Sequence, residues 1–275
     1  MKNLTEYLYP SDVNQALTLL SEEADSEFIA GGTGGIKGNV TRLVDIMQLG
    51  LNNIIKADST VTIGSTSTLT EMYNSALIGE IGNGVLKKAC QLCADTPLRN
   101  VITLGGNIAH LYVWAGLPVV LLSLDAEIEI FRVKGDSYRL KAQEYFKGNG
   151  IPAGELITQV HFPIRDDWKH FYEKFCLTTV DYTWLTMAFA VKVDGGEITD
   201  SRIAVSRITK VKRVTEMENY LKGKSLAELD VEEAVTTLQS SVTITKDYRS
   251  SKEYRKQLLG TLFQRMLEQL LEENQ

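Results

Sequence analysis

Residues 28–36 read FIAGGTGGI, and residues 103–109 read TLGGNIA. Each stretch runs from apolar residues into a Gly-Gly pair with a Thr beside it. Glycine lacks Cβ, tolerates positive φ and lets the backbone approach a neighbour closely, so both read as tight turns. They are either two unrelated loops or the two halves of one ligand cradle. Spacing removes two phosphate-binding schemes. A P-loop needs Gly-Lys followed by Ser or Thr, and here Lys37 precedes Gly38. The dinucleotide fingerprint G-x-G-x-x-G fails because Gly32-Thr33-Gly34 is followed at the third place by Lys37. What remains is a nest of successive backbone N–H groups that faces an anion, with the Thr33 and Thr103 hydroxyls as further donors.

The rest of the chain narrows the setting. Its 275 residues suit two domains or one large one. A net charge of −6 argues against nucleic acid or an anionic membrane as partner. The longest strongly apolar run, GLPVVLLSL at 116–124, is far short of the roughly 20 residues of a membrane span. MKNLTEYLYPSD lacks the apolar core of a signal peptide, so a cytoplasmic protein is expected. Three cysteines are too few for a disulfide framework. Cys90 and Cys93 form a CxxC, but a structural zinc or iron–sulfur centre takes four ligands and only Cys176 remains, so buried helix thiols are expected.

Periodicity places the pieces. PSDVNQALTLLSEE (10–23) reads as a helix capped by Ser11, with Val13, Ala16, Leu17 and Leu20 on one face. EFIAGG, RLVDI and VTIGS read as short strands. Thr68 and Glu71 have the spacing of a capping box. GNGVLKKACQLC reads as a helix, and TPLRNVITLGGNIA as a loop into the second turn. VVLLSLDAEIEIFRV passes from continuous apolar residues to alternation, a helix running into a strand. LITQVHFP is a strand ended by Pro163. Past residue 170, MAFAVKVDGGEITDSRIAVS has a hairpin pattern about Asp194-Gly195-Gly196. Helical segments at 225–240 and from about 250 follow, as in a separate α+β unit.

In the order FIAGGTGG, LVDI, VTIGSTSTLTEM, LRNVITLGGNIA, LPVVLLSLDAEIEI, GELITQVHFP and YEKF, ending with DYRSSKEYRKQLLGTLFQRML, the chain resembles a family nearly end to end. That family is the FAD-binding (medium) subunit of molybdenum hydroxylases, the xanthine dehydrogenase and carbon monoxide dehydrogenase group. The resemblance implies a vanillyl-alcohol-oxidase-type FAD-binding domain over 1–170, with an α/β lobe at about 1–55 and a larger one at 56–170. An α+β C-terminal domain over 171–275 follows. It also implies FAD between the lobes. Phe28, Ile29, Ala30, Gly31, Gly32, Thr33, Gly34 and Gly35 would wrap the pyrophosphate, and Thr103, Leu104, Gly105, Gly106 and Asn107 would close from the other lobe. Ile157 aligns with a backbone contact to the cofactor. Lys174, in YEKF, aligns with a lysine beside the isoalloxazine, where a cation favours a reduced, anionic flavin.

Two positions depart from the family pattern. Gly34 stands where an acidic residue follows the first Gly-Gly-Thr. In HLYVWAGLP, Gly116 stands where an Asp binds a cofactor hydroxyl. Losing a charge-assisted hydrogen bond lowers affinity about ten- to a hundredfold, and Gly116→Asp is expected to recover part of it. Tyr112 and Trp114 are candidates for compensating stacking or for a docking face, Arg99 for a cofactor contact or a salt bridge, and His110 for a lining or surface residue. The implied role is electron transfer. Electrons from a [2Fe–2S] subunit, itself served by a molybdenum-cofactor subunit, pass through FAD to NAD or another acceptor. A self-sufficient FAD-dependent oxidoreductase and a degenerate scaffold that binds FAD weakly or not at all stay open as alternatives.

Overall fold

The computed structural model describes residues 4–35, 39–133, 135–148, 150–152, 154–206, 210–244, 246 and 249–274. Three sheets follow one another along the chain. The first is parallel, ordered β1 (Glu6–Leu8), β3 (Arg42–Asp45) and β2 (Ser26–Ile29). Helix α1 (Val13–Glu22) lies on it with Ala16 and Leu17 fully buried, the face expected from periodicity. Its cap is Asp12, one residue later than expected. The Asp12 carboxylate accepts the Gln15 N–H at 2.9 Å, and the Ser11 hydroxyl donates to Asp12 instead of capping.

The second sheet is antiparallel and five-stranded, in the order β4 (Ile54–Ala57), β5 (Thr60–Gly64), β8 (Glu155–Pro163), β6 (Glu127–Arg132) and β7 (Ser137–Lys141). Alternation puts Val61, Ile63, Ile128, Ile130, Val160 and Phe162 into the core. The segment between β5 and β6 supplies the covering layer: α2 (Leu69–Asn74), α3 (Ala76–Glu80), α4 (Val85–Gln91), α5 (Thr96–Arg99), α6 (Leu104–Ala109) and α7 (Leu117–Ser123). A short α8 (Ala142–Lys147) follows β7. Thr68 and Glu71 form the capping box expected at α2. Every residue of α7 is buried, because the helix packs against α4, α6 and α8 and against the strands of the next sheet. That is why its sequence is apolar without period.

GNGVLKKACQLC is not one helix. Gly82, Asn83 and Gly84 have φ of +54°, +53° and +83°, and α4 starts only at Val85.

The third sheet is antiparallel, ordered β12 (Lys212–Arg213), β11 (Glu197–Val205), β10 (Leu185–Asp194) and β9 (Trp168–Phe175). Gly195 and Gly196, at φ +57° and +82°, make the two-residue turn between β10 and β11. Helices α9 (Thr215–Leu221), α10 (Val231–Ser241) and α11 (Lys252–Glu272) cover one face, with Phe263 packed edge-on against Phe189.

One carboxylate ties the third sheet to the second unit. Asp125, in the turn between α7 and β6, accepts from Arg165 at 3.0 Å, Arg202 at 2.9 Å and Arg213 at 2.9 Å.

Candidate FAD-binding site

Strand β2 delivers Phe28 and Ile29 to the edge of the small sheet, and the chain turns at Ala30 into the loop Gly31–Gly35. Gly32 and Gly35 have φ of +69° and +72°, in the region where L side chains are strained. A Cβ on Gly31 would lie 1.5 Å from the carbonyl oxygen of Val101, so the loop rests directly on the backbone just ahead of α6. The two glycine stretches therefore meet. Among the described residues, no hydrogen-bond partner accepts from the N–H groups of Gly31 to Gly35. Among the described residues, nothing lies within 4 Å of where a Gly35 Cβ would stand. A glycine loop with unspent amides and open space in front of it is what a pyrophosphate requires. Ile36, Lys37 and Gly38 lie outside the described residues.

The second stretch differs from the turn expected. TLGGNIA is the helix α6 with Thr103 as its cap, and the Thr103 hydroxyl accepts the Gly106 N–H at 3.2 Å. The other early amides are also spent. Leu104 donates to the Ser67 carbonyl at 2.9 Å and Gly105 to that of Ser65 at 2.7 Å. Gly105 is glycine because a Cβ there would fall 2.7 Å from the Ser65 Cβ. This side of the site is thus a wall, and its free polarity is in side chains. The Asn107 amide oxygen and the hydroxyls of Ser65, Thr66 and Ser67 are buried without a partner among the described residues. Unpaired buried polar atoms at such density ask for a ligand or ordered water. The residues present fit a diphosphate-bearing cofactor.

Ile157 is buried in β8, paired with Ile130, and the next residue, Thr158, accepts the Ser65 N–H at 2.9 Å. Lys174, on β9, donates to the carbonyl of Leu92 at 2.8 Å and to that of Thr179 at 3.4 Å. Among the described residues, Arg99 forms no carboxylate pair. It donates to the carbonyls of Cys93 at 3.3 Å and Ala94 at 2.6 Å and to the Thr96 hydroxyl at 2.7 Å. These two cations hold the chain that leaves α4, which turns through Ala94 at φ +50°. Burial pushes the Cys93 thiol up, opposed by Lys174 and Arg99, and Cys90 is pushed up further by its deeper burial.

The segment after α6 departs most from expectation. His110, Tyr112 and Trp114 are half-buried and stacked, with ring centroids 5.0 Å and 4.6 Å apart. The Tyr112 hydroxyl donates to the Gly34 carbonyl at 3.0 Å. The His110 ring fills the place of a Gly34 side chain, since a Cβ there would lie 1.6 Å from Nε2. A Cβ at 116 would meet the hydroxyl of the buried Tyr172 at 2.4 Å, so an Asp there would have to displace that ring. Sequence reasoning missed the Gly34–His110 fit and the buried run Ser65–Ser67. The signal for the latter was present, as GSTST joins a strand to a capped helix with no charge in it.

A glycine loop resting on the backbone just ahead of a helix start suits a protein that binds a diphosphate-bearing cofactor. Two family models cover the chain: the FAD binding domain in molybdopterin dehydrogenase over residues 2–165 and the CO dehydrogenase flavoprotein C-terminal domain over 170–270. The chain belongs to the FAD-binding subunits of the molybdenum hydroxylase family, and FAD is its cofactor. It is 28% identical over 267 residues to the glyceraldehyde dehydrogenase medium chain of Sulfolobus acidocaldarius, covering 93% of this chain and 94% of that one. It is 29% identical over 273 residues to the nicotine 6-hydroxylase medium subunit of Paenarthrobacter nicotinovorans, covering 95% of each. The carbon monoxide dehydrogenase of Hydrogenophaga pseudoflava shares the fold, with a TM-score of 0.87, 24% identity and 95% of each chain covered. The fold is the two-lobed vanillyl-alcohol-oxidase type with an α+β domain after it. Among the described residues, no helix is long and apolar enough to cross a membrane.

Proposed function

We propose that the chain is the electron-transfer subunit of a three-part hydroxylase. The observation that carries this is the loop Gly31–Gly35, with its unspent amides, seated against Val101 at the threshold of α6. Phe28, Ile29 and Ala30 hold the loop to the small sheet, Thr33 stands exposed on it, and Gly32, Gly34 and Gly35 turn its N–H groups towards the diphosphate. Thr103, Leu104, Gly105, Gly106 and Asn107 form the opposite wall, backed by Ile157 in β8. Lys174 spends two of its three ammonium hydrogens on carbonyls and keeps one for the flavin. FAD, when bound, supplies the change between two-electron and one-electron chemistry. The division of labour falls near residue 170, with the cofactor lobes before it and the third sheet after it.

The relatives are medium chains and subunits of dehydrogenases and hydroxylases. By the same logic this chain docks a molybdenum-cofactor subunit and a [2Fe–2S] subunit, and it hands electrons to NAD or another acceptor. We place the complex in the cytoplasm, in keeping with three free cysteines. Titration with FAD and FMN, followed by flavin fluorescence, tests the cofactor site. FAD saturates and FMN, which lacks the pyrophosphate, binds much more weakly; no saturable change with FAD overturns the reading. Co-expression with neighbouring genes and size-exclusion chromatography tests the partners. A chain that stays alone and turns over a small substrate with FAD would be a self-sufficient oxidoreductase.

A further inference from the structure

Four of the five residues in the loop Gly31–Gly35 are glycine, and the loop makes no internal hydrogen bonds among the described residues. Glycine loses more backbone freedom on ordering than any other residue. Something outside the loop must therefore hold it in shape. At Gly31 the support is the Val101 carbonyl, and at Gly34 it is His110 and Tyr112. Gly34 is informative because it has no left-handed φ, unlike Gly32 and Gly35. No left-handed φ calls for glycine at 34, and the three atoms nearest a Cβ there all belong to the His110 ring. That ring is held in turn by stacking on Tyr112, and Tyr112 on Trp114. At the far end Trp114 meets the edge of Tyr182, 5.5 Å away, in the loop between β9 and β10, and Arg249 lies over Tyr182 at 5.3 Å. The stack is thus anchored in the C-terminal domain.

We propose that His110 and Tyr112 are positioning residues that lock the Gly31–Gly35 loop in its diphosphate-holding shape, with Trp114 and Tyr182 as the buttress. The proposal rests on the FAD reading above and deepens it. Binding to a preformed loop avoids the ordering cost that a free glycine loop carries. The rings therefore set cofactor affinity through the loop, without touching the flavin.

The test uses the full chain with two probes: FAD, and ADP, which has the diphosphate but no flavin. Tyr112→Phe removes one hydrogen bond and keeps the stack, and should weaken FAD and ADP alike by about fivefold. His110→Ala should weaken both by about tenfold. Gly34→Ala, which drives its Cβ into His110, should weaken both by tenfold or more. The double variant Gly34→Ala with His110→Ala should bind no worse than His110→Ala alone, because the clash has gone. Thermal unfolding of the ligand-free chain by circular dichroism runs beside the titrations. Lowered melting with unchanged affinity for both probes would show a structural role only and overturn the proposal. FAD weakened with ADP unchanged would mean the rings contact the flavin, and additive losses in the double variant would mean the 34–110 contact is incidental; either overturns it. Absence of binding in the unsubstituted chain would instead remove the FAD reading, and the proposal with it.

Discussion

Asp125→Asn tests what joins the cofactor lobes to the C-terminal domain. Asp125 stands at φ +50°, a conformation that Asn tolerates as well as Asp, so the substitution removes charge without straining the backbone. Its side chain is 21% exposed and that of Arg213 is 11% exposed, which puts the cluster nearer the buried than the surface regime. Arg165 and Arg202 share Oδ2 while Arg213 takes Oδ1. An Asn must therefore turn its NH2 towards at least one guanidinium. Breaking a buried pair from one side costs about 3–5 kcal/mol. Two arginines keep a second carboxylate, Arg202 at Asp200 and Arg213 at Glu218, so the low end applies, about 3 kcal/mol. At roughly 2–4 °C per kcal/mol for a chain of this size, melting should fall by about 6–12 °C. Urea unfolding followed by circular dichroism and tryptophan fluorescence measures it. The two probes should also separate, because two of the three tryptophans, Trp168 and Trp184, lie in the third sheet or beside it while circular dichroism reports the whole chain. A loss under about 1 kcal/mol with coincident transitions would refute the hub as the joint.

Three further outcomes follow from the same geometry. Gly31→Ala places a Cβ 1.5 Å from the Val101 oxygen and should cut FAD affinity at least a hundredfold with the far-ultraviolet spectrum retained; unchanged titration would show that the lobes do not close there. Gly116→Asp collides with the Tyr172 hydroxyl, so it should lower the melting temperature and leave FAD binding no tighter, against the expectation from family pattern alone; tighter binding would refute the placement. His170 has both ring nitrogens buried without a partner among the described residues, and burial, with Arg165 nearby, holds it near about 4. The unfolded chain therefore binds the extra proton between about pH 6.5 and 4, so His170 contributes stability above that window that is lost as pH falls through it, on the order of 3 kcal/mol; His170→Asn should flatten the slope, and an unchanged slope would disprove it.

Much of the architecture was legible because its residues are locally consistent. The alternation in EIEIF, the Asp194–Glu197 turn and the Thr68–Glu71 box each name one local structure. The Gly31–Gly35 turn was legible because Gly32 and Gly35 take positive φ, which glycine alone adopts freely. What was not legible depends on residues far apart in sequence. TLGGNIA looks like a turn until Ser65 and Ser67, some forty residues earlier, take its amides and make it a helix start. Gly34 looks like a lost carboxylate until His110 is seen in its side-chain space. Gly116 looks like another until the Tyr172 hydroxyl, on β9, is seen 2.4 Å from where its Cβ would stand. The Arg165, Arg202 and Arg213 cluster was invisible for the same reason, since the Asp125 they share lies 40, 77 and 88 residues away from them.

Strand β8 is the last strand of its sheet in sequence, yet it lies in the middle, between β5 and β6. A nascent chain that has not yet left the ribosome up to Pro163 cannot close that sheet, and β5, paired on one side with β4, waits for its second partner about a hundred residues downstream. Such long-range pairing is slow, because the loop must close before any contact rewards it. The Ser65 amide that steadies the seat of α6 waits as well, since its acceptor is Thr158. The seat on which the two glycine segments meet should therefore mature late in synthesis, after both segments have been exposed.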